Sequence, residues 1–275
     1  MKEFEDLAHL LIYFKNTKST QEKIRTKLAE DLLLSKITGS DYLKNRTVFK
    51  GGVLLYYLTA GARGYTQDID FDIQELVVKP ETIGQFIAYL NKSSVYPNIS
   101  VRLLSYKKLN LLAYRGLRLE LELYDDTASL PLTADVGHYD GRWFSPQKRE
   151  IQLTFSPYPV AIGSEANEMM IGEKLATFAL HGTDNLRYKD FFDAYWLIRY
   201  TSHDNAKVAS VLKALGVYRT GRFKSFQAMR HYLLQVFSDK FYLQKIDHDG
   251  KNWVNVPIST IAFGLSQYVS SLPEK

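Results

Sequence analysis

The stretch Thr66–Ile73, which reads TQDIDFDI, carries the clearest alternating pattern in the chain. Acidic and apolar residues alternate from Asp68 onward, and a period of two is typical of a β-strand with one buried and one polar face. Asp68, Asp70 and Asp72 share the polar face, and the apolar residues between them share the other. The pattern therefore predicts a half-buried strand that carries a row of carboxylates.

Asp68 and Asp70 form a DxD pair that suits a divalent cation. Residues two apart on a strand lie about 6 to 7 Å apart at the backbone, and Mg²⁺ prefers carboxylate oxygens together with substrate phosphates. The alternative is a solvated polar face, because DxD sequences are common and aspartates usually face water. Three like charges on one face, with no basic cross-strand partner evident in the sequence, would repel one another. A bound cation would remove that repulsion, which favours the metal site.

Gly51 and Gly52 precede the apolar sequence VLLYYL. Glycine lets the backbone approach a phosphate closely, and the N-terminus of the helix that follows offers unpaired N–H groups and a positive dipole end. The alternative is a tight turn between two packed elements. Gly52 precedes Asp68 by sixteen residues, with one predicted helix between them. The two signals together predict a phosphate-binding turn beside a metal site.

The remaining pattern predicts an α/β (α+β) chain in two parts. Leucines at helical spacing in the first fifty residues predict helices that flank a sheet. A helix is predicted around residues 81–91, and further strands are predicted for ISVRLLSY, RLELELY, LPLTADVG and EIQLTF, with EIQLTF as the last. A Pro-containing stretch near residues 156–163 precedes a change to helical spacing. The predicted domains are a core, 1–160, and a helical C-terminal domain, 161–275.

Composition excludes several classes of protein. The chain has 275 residues, of which 45% are hydrophobic and 24% charged, as in an ordinary globular protein. It contains no cysteine, so disulfides, thiolate metal sites and cysteine nucleophiles are excluded. The N-terminus lacks the pattern of a signal peptide, and no segment is apolar enough to cross a membrane. We therefore expect a cytoplasmic protein without membrane contact. P-loop, Rossmann and nucleophile-elbow motifs are also absent.

Charged residues at helical spacing form a second group of candidates towards the C-terminus. Lys174 lies in a mostly apolar segment and could contact nucleotide phosphates, although a surface lysine on an amphipathic helix is the commoner case. Asp190 and Asp193 lie about one helical turn apart and face the same way. They could hold Lys174 or Arg187 in place, orient a substrate hydroxyl or, for Asp190, cap the helix. Asp135, in LTADV, is a further carboxylate on a predicted strand.

Five blocks of sequence together resemble one known family. They are FKGGVLLYYL, RGYTQDIDFDI, LTADV, GEKLATFALHG and RYKDFFDAYWL, in this order over roughly residues 48–198. In order and spacing they resemble the AbiEii/AbiGii toxin family of nucleotidyltransferases, the toxins of type IV toxin–antitoxin and abortive-infection systems. The resemblance implies the polymerase-beta-like nucleotidyltransferase fold, which is a mixed sheet with flanking helices followed by a helical C-terminal part.

The resemblance also implies roles for individual residues. Asp68, Asp70 and Asp135 are expected to bind Mg²⁺, and Asp135 could instead act as a general base. One departure is Val53, because the family commonly has Thr or Ser after the glycine pair, and its hydroxyl can meet a phosphate. The residues expected to be catalytic are Asp68, Asp70, Asp135, Lys174, Asp190 and Asp193. The residues expected to contact substrate are Gly51, Gly52, Arg63, Thr66 and Lys189.

The implied activity is transfer of a nucleoside monophosphate from an NTP to an acceptor hydroxyl, with Mg²⁺ as cofactor and a cognate antitoxin as partner. Between Arg187 and Lys251 twelve basic residues stand against six acidic ones, and such a surplus suits backbone phosphates. RNA, above all tRNA, is the favoured acceptor, and protein is second. Two alternatives remain open: a degenerate module that binds nucleotide or RNA without turnover, as Val53 would allow, and a kinase that uses the same metal site.

Overall fold

A computed structural model of the protein describes residues 6–14, 20–75, 78–111, 114–139, 144–156, 158–218, 221–249 and 251–274. The chain divides into two compact units, one that ends at Glu165 and one that begins at Ala166. The first unit contains a sheet with its helices, and the second unit is helical. Within the described part of the chain, no helix combines the length and the apolar character that crossing a bilayer requires.

The sheet of the first unit has seven strands in the described residues, and their order is β3-β4-β5-β2-β1-β7-β6. The strands are β1 (Thr47–Lys50), β2 (Asp68–Ile73), β3 (Ser100–Leu111), β4 (Tyr114–Tyr124), β5 (Ser129–His138), β6 (Gln147–Gln152) and β7 (Pro159–Ser164). The β2–β5 and β1–β7 pairs are parallel and the other pairs are antiparallel. The predicted mixed sheet is therefore confirmed, and β2 lies near its middle.

Four helices belong to the described part of the first unit. They are α1 (Leu7–Phe14), α2 (Gln21–Thr38), α3 (Gly51–Leu58) and α4 (Pro80–Asn91). The Thr20 side chain caps α2 by accepting a hydrogen bond from the Lys23 amide, and α4 begins with a proline, whose fixed φ suits a first helical turn. Helix α2 contacts β5, and α4 contacts β3. Ile69, Phe71 and Ile73 of β2 are fully buried, as the alternation predicts.

The second unit consists of helices in its described residues, as predicted. They are α5 (Asn167–His181), α6 (Lys189–Tyr200), α7 (Asn205–Lys213), α8 (Phe226–Ser238), α9 (Lys240–His248) and α10 (Ile258–Ser271), with a 3₁₀ turn at Gly182–Asp184 and a π-helical turn at Ala214–Tyr218. Phe178, Phe191 and Phe237 pack edge to face in the core of this unit. Helices α5 and α6, which carry the candidate residues, therefore share one packed core.

The prediction that EIQLTF is the last strand is wrong. Strand β7 follows it and pairs antiparallel with β6 and parallel with β1. Its sequence, PVAIGS, gives little alternation, and its proline stands at the first position, where a strand tolerates the missing N–H. The stretch interpreted as a linker is thus a sheet strand, and the predicted boundary at residues 160 and 161 falls inside β7.

Candidate active site

The register of the sheet brings three aspartates together on one face. Asp70 on β2 lies directly opposite Asp135 on β5, and Asp68 lies two residues earlier on the same face. Asp68 and Asp70 are half-buried, and Asp135 is also partly exposed. The arrangement follows from the parallel β2–β5 pairing, which sequence alternation alone could not specify. The structure therefore places the three predicted metal ligands next to one another.

Arg118 lies against two of these carboxylates. It is opposite Asp135 in the antiparallel β4–β5 pair. Its Nε donates to Asp135 Oδ1 at 2.6 Å and its Nη2 to Asp135 Oδ2 at 2.6 Å, while Nη2 also lies 3.1 Å from Asp68 Oδ2. The hydrogen bonds to Asp135, together with the charges of the aspartates, raise the pKa of Arg118 above its usual range. Arg118 is therefore a permanent positive charge on the face that carries Asp68, Asp70 and Asp135, which we call the acidic face.

Lys50 is a second basic partner of the carboxylate row. Its Nζ lies 2.9 Å from Asp72, and both side chains are largely buried. Strands β1 and β2 are paired so that Lys50 lies opposite Asp70. The expectation that the row lacks basic cross-strand partners is therefore wrong. Repulsion between the aspartates does not by itself require a metal ion, because Lys50 on β1 and Arg118 on β4 supply positive charge to them.

The glycine pair packs directly on the polar side chains of the site. Gly51 has a φ of +65°, a conformation that side chains rarely adopt. A Cβ at this position would lie 2.2 Å from Asp70 Oδ2, and a Cβ on Gly52 would lie 3.0 Å from a guanidinium nitrogen of Arg63. Helix α3 begins at Gly51 without a side-chain cap from Lys50. The first turn of α3 is thus held against Asp70 by contacts that only glycine permits.

Arg63 and Thr66 have different surroundings from each other. Arg63 is buried, with 7% of its surface exposed, and lies against Gly52. The Thr66 hydroxyl donates to Asp68 Oδ1 at 3.0 Å. Because Arg118 approaches the other oxygen of Asp68, the Asp68 carboxylate is oriented from both sides. The structure thus places both residues in the acidic region, Arg63 through the glycine turn and Thr66 through Asp68.

Sequence reasoning missed a buried polar network between α2 and α3. Lys27 pairs with Glu30 and donates to the Tyr57 hydroxyl, which in turn donates to Asp31 at 2.6 Å. Burial raises the pKa of Glu30 to about 7; Lys27 opposes this increase, and the negative charges of Asp31 and Asp68 add to it. Burial also raises the pKa of Asp31. The sequence signal for this network was the pair of acidic residues, Glu30 and Asp31, beside the leucines of α2.

The second unit contains a buried ion-pair cluster on α5 and α6. Lys174 Nζ lies 2.5 Å from Asp190 Oδ1 and 3.1 Å from Asp193 Oδ2. Arg187 Nε lies 3.3 Å from the other oxygen of Asp190. Lys174 is thus not the snorkelling surface lysine considered above, and both aspartates face it as their helical spacing predicts. Lys189, the first residue of α6, is half-buried.

The acidic face of β2 and β5 defines the class of site. Hard carboxylate oxygens stand beside the first turn of a helix whose N-cap residue, Lys50, does not cap it with its side chain, and such an arrangement can hold a divalent cation and the phosphates of a nucleotide. Among the residues that the structure describes, no group of three or more acidic or histidine side chains forms a complete metal-binding set. The guanidinium of Arg118 lies against Asp135 and Asp68 instead.

Comparison with known families identifies the chain. Residues 33–248 match the AbiEii family, described as a nucleotidyl transferase toxin of the type IV toxin–antitoxin system. Since the match covers well over half of the sequence, the chain belongs to this family. It is therefore a nucleotidyltransferase that uses a nucleoside triphosphate, and its family implies an antitoxin partner. The resemblance inferred from the five sequence blocks is confirmed.

Two solved structures that align with most of this chain come from Helicobacter pylori. JHP933 is 19% identical, with a TM-score of 0.46, and the alignment covers 90% of this chain and 91% of that one. A protein described as a candidate nucleotidyltransferase is 20% identical, with a TM-score of 0.43, and the alignment covers 90% and 96% of the two chains. Among curated proteins, none gives a significant match.

Proposed function

We propose that this chain is an Mg²⁺-dependent nucleotidyltransferase toxin that transfers NMP from an NTP to an RNA acceptor, in particular tRNA. The observation that carries the proposal is the contact between the glycine turn and the DxD pair, where a Cβ on Gly51 would lie 2.2 Å from Asp70 Oδ2. This contact keeps a helix N-terminus, which suits phosphate, beside carboxylates, which suit a cation. NTP and tRNA are both found in the cytoplasm, where we expect the toxin to act.

The residues of the acidic face fit a magnesium ion. Asp68 and Asp70 offer only hard oxygen donors, and the side chain of Asp68 is 34% exposed, which leaves it accessible from solvent. Asp135 is the third carboxylate, directly opposite Asp70. Mg²⁺ bound there would neutralise charge on the phosphates during transfer. Asp68 and Asp70 are the primary ligands in this proposal because they form the DxD pair, and Asp135 is secondary because Arg118 holds both of its oxygens at 2.6 Å, closer than the 3.1 Å contact that it makes with Asp68.

Other residues of the chain orient the reaction. The Thr66 hydroxyl fixes the rotamer of Asp68 by its hydrogen bond to Oδ1, and Arg63 supports the glycine turn through Gly52. The backbone N–H groups at the start of α3 would receive phosphate oxygens, since the N-cap residue Lys50 does not cap them with its side chain. Val53 offers no hydroxyl, so phosphate contact at this turn depends on the backbone. Asp135 is the candidate to accept the proton of the attacking hydroxyl.

The cluster of Lys174, Asp190 and Asp193 forms the second part of the proposed machinery. The two aspartates hold the Lys174 ammonium in one position, and a fixed ammonium is suited to phosphate oxygens. We propose that Lys174 serves the nucleotide and that Asp190 and Asp193 position it. Lys189, on the first turn of α6, is the neighbouring residue for substrate contact.

The acceptor is proposed to be RNA because, among the described residues of the second unit, eight exposed basic residues stand against four exposed acidic ones. The exposed basic side chains lie on several helices and loops. Such charges bind backbone phosphates without reading sequence. The exposed basic residues among them are Arg187, Arg199, Lys207, Arg222, Lys224, Lys240, Lys245 and Lys251.

Labelled nucleotides test the proposal and separate its alternatives. We expect label from α-labelled NTP to appear in tRNA when Mg²⁺ is present, with Asp70→Ala abolishing transfer while the fold is retained by circular dichroism. Each of the four NTPs is assayed separately. Transfer of a γ-label would identify a kinase, and nucleotide binding without any transfer would identify a binding module. Incorporation of the label into protein instead of RNA would show that the acceptor is a protein. Full activity of the Asp70→Ala variant would refute the metal role.

A further inference from the structure

Arg118 lies on the acidic face, and its position serves no step described so far. Its guanidinium holds both oxygens of Asp135 at 2.6 Å and reaches Asp68 Oδ2 at 3.1 Å. A planar fork that holds two oxygens of one carboxylate is among the stronger ionic arrangements in proteins. The contact is also fixed by the backbone, because Arg118 and Asp135 are directly opposite on β4 and β5.

The same oxygens are those a divalent cation would take. Asp68 Oδ1 accepts from Thr66, and Asp68 Oδ2 accepts from Arg118. A cation and a guanidinium placed on one carboxylate repel each other, and their repulsion is strong where water screens it little. The Arg118 side chain is 30% exposed, so it is not enclosed by the protein. Loading of a metal ion and retention of the Arg118–Asp68 contact therefore oppose each other.

We propose that Arg118 is a resident counterion that competes with divalent cations for Asp68 and Asp135, so that metal loading requires its guanidinium to release Asp68. The inference rests on the proposed function, because it concerns the same carboxylates. It goes further by assigning a role to a residue on β4, outside the DxD pair and the glycine turn. Arg118 stabilises the metal-free site and weakens its affinity for a cation. Filling the site therefore requires a higher metal concentration than it would without Arg118.

Calorimetric titration of the full chain with Mn²⁺, without nucleotide, tests the competition. The proteins are the wild type, Arg118→Ala, Arg118→Gln, Asp70→Ala and the control Arg102→Ala. Arg102 forms a comparable ion pair with Glu122 on the same hairpin, with its Nε at 2.6 Å from Glu122 Oε2. Removing one charge near the ion is expected to tighten Mn²⁺ binding by about tenfold or more in both Arg118 variants. Arg102→Ala should bind as the wild type does.

Thermal melting supplies a second measurement that does not depend on catalysis. Without metal, the Arg118 variants should melt below the wild type, because Asp68 and Asp135 lose their shared counterion. Addition of Mn²⁺ should then raise their melting temperatures more than that of the wild type. Arg118→Gln retains hydrogen-bonding groups without the charge, so it reports the competition even if Arg118→Ala does not fold.

The outcomes separate this inference from the proposed function. Binding that is lost in Asp70→Ala and tightened in the Arg118 variants supports both. Binding that is lost in Asp70→Ala but is unchanged or weaker in the Arg118 variants overturns the competition and leaves the metal site intact. If the wild type and the Arg118 variants bind Mn²⁺ no better than Asp70→Ala does, both the competition and the metal site are overturned.

Discussion

Replacement of Gly51 by alanine is the sharpest test of the glycine turn. The added methyl group would lie 2.2 Å from Asp70 Oδ2 and 2.8 Å from Asp70 Cγ, both well inside normal contact. The Asp70 carboxylate would have to retreat by about 1 Å to reach an ordinary separation. The backbone at Gly51, with a φ of +65°, also disfavours a side chain by about 1 to 2 kcal/mol. Two separate effects are thus expected, one on stability and one on the site.

The effect on activity should be much larger than the effect on stability. A misplacement of about 1 Å at a reacting centre can cost about a hundredfold in rate. We therefore expect Gly51→Ala to lower nucleotidyl transfer by about a hundredfold and to reduce the free energy of unfolding by about 1 to 2 kcal/mol. The first quantity is measured with α-labelled NTP under single-turnover conditions, and the second by urea denaturation.

Gly221 provides a control for the backbone effect alone. Its φ of +63° nearly equals that of Gly51, and, its chain neighbours aside, no atom of the described residues lies within 4 Å of a Cβ built there. Gly221→Ala should lose a similar amount of stability and keep its transfer activity. If Gly51→Ala retains activity as Gly221→Ala does, the contact with Asp70 does not matter for catalysis and the argument from the glycine turn is refuted.

Two further perturbations address the buried charges. Burial raises the pKa of Glu30 from 4.5 to about 7. Between these two values the folded state keeps a proton on Glu30 that the unfolded state releases. The stability that this group contributes is therefore full below pH 4.5 and is lost as the pH rises through 7. We expect the wild type to lose on the order of 3 kcal/mol over this window and Glu30→Gln to lack that loss in urea titrations at each pH; parallel profiles would contradict the assignment. Lys174→Met leaves Asp190 and Asp193 buried without their ammonium, and should destabilise the protein by about 3 to 5 kcal/mol. Adding Asp193→Asn should recover part of this loss, and a cost of under about 1 kcal/mol for Lys174→Met alone would show that the cluster is not held together by charge.

Much of the fold could be predicted from periodicity because it reports burial locally. The alternation in DIDFDI correctly placed Asp68 and Asp70 on one face, since the side-chain period of a strand depends on the strand alone. The change to helical spacing after residue 164 likewise identified the helical part. Strand β7 was missed because its hydrogen bonds come from β1 and β6, and its own sequence alternates little.

The partners of the site residues could not be predicted, because they depend on register. Arg118 and Asp135 are seventeen residues apart, and only the β4–β5 pairing makes them neighbours. Lys50 and Asp72 meet through the β1–β2 pairing in the same way. The five sequence blocks identified the family without this information, since a family is recognised by residue types and spacing along the chain. Which cations face which carboxylates required the three-dimensional structure.

The buried network between α2 and α3 also limits how the protein can be shortened. The family match begins at residue 33, inside α2, so a fragment cut at that point would lack Lys27, Glu30 and Asp31. The Tyr57 hydroxyl would then lose its acceptor, and the Phe155 amide would lose its hydrogen bond to Asp31. Since α3 carries Tyr57 at one end and the glycine turn at the other, such a fragment would loosen the helix that packs on Asp70. Expression of the catalytic part should therefore start upstream of α2, at or before Thr20.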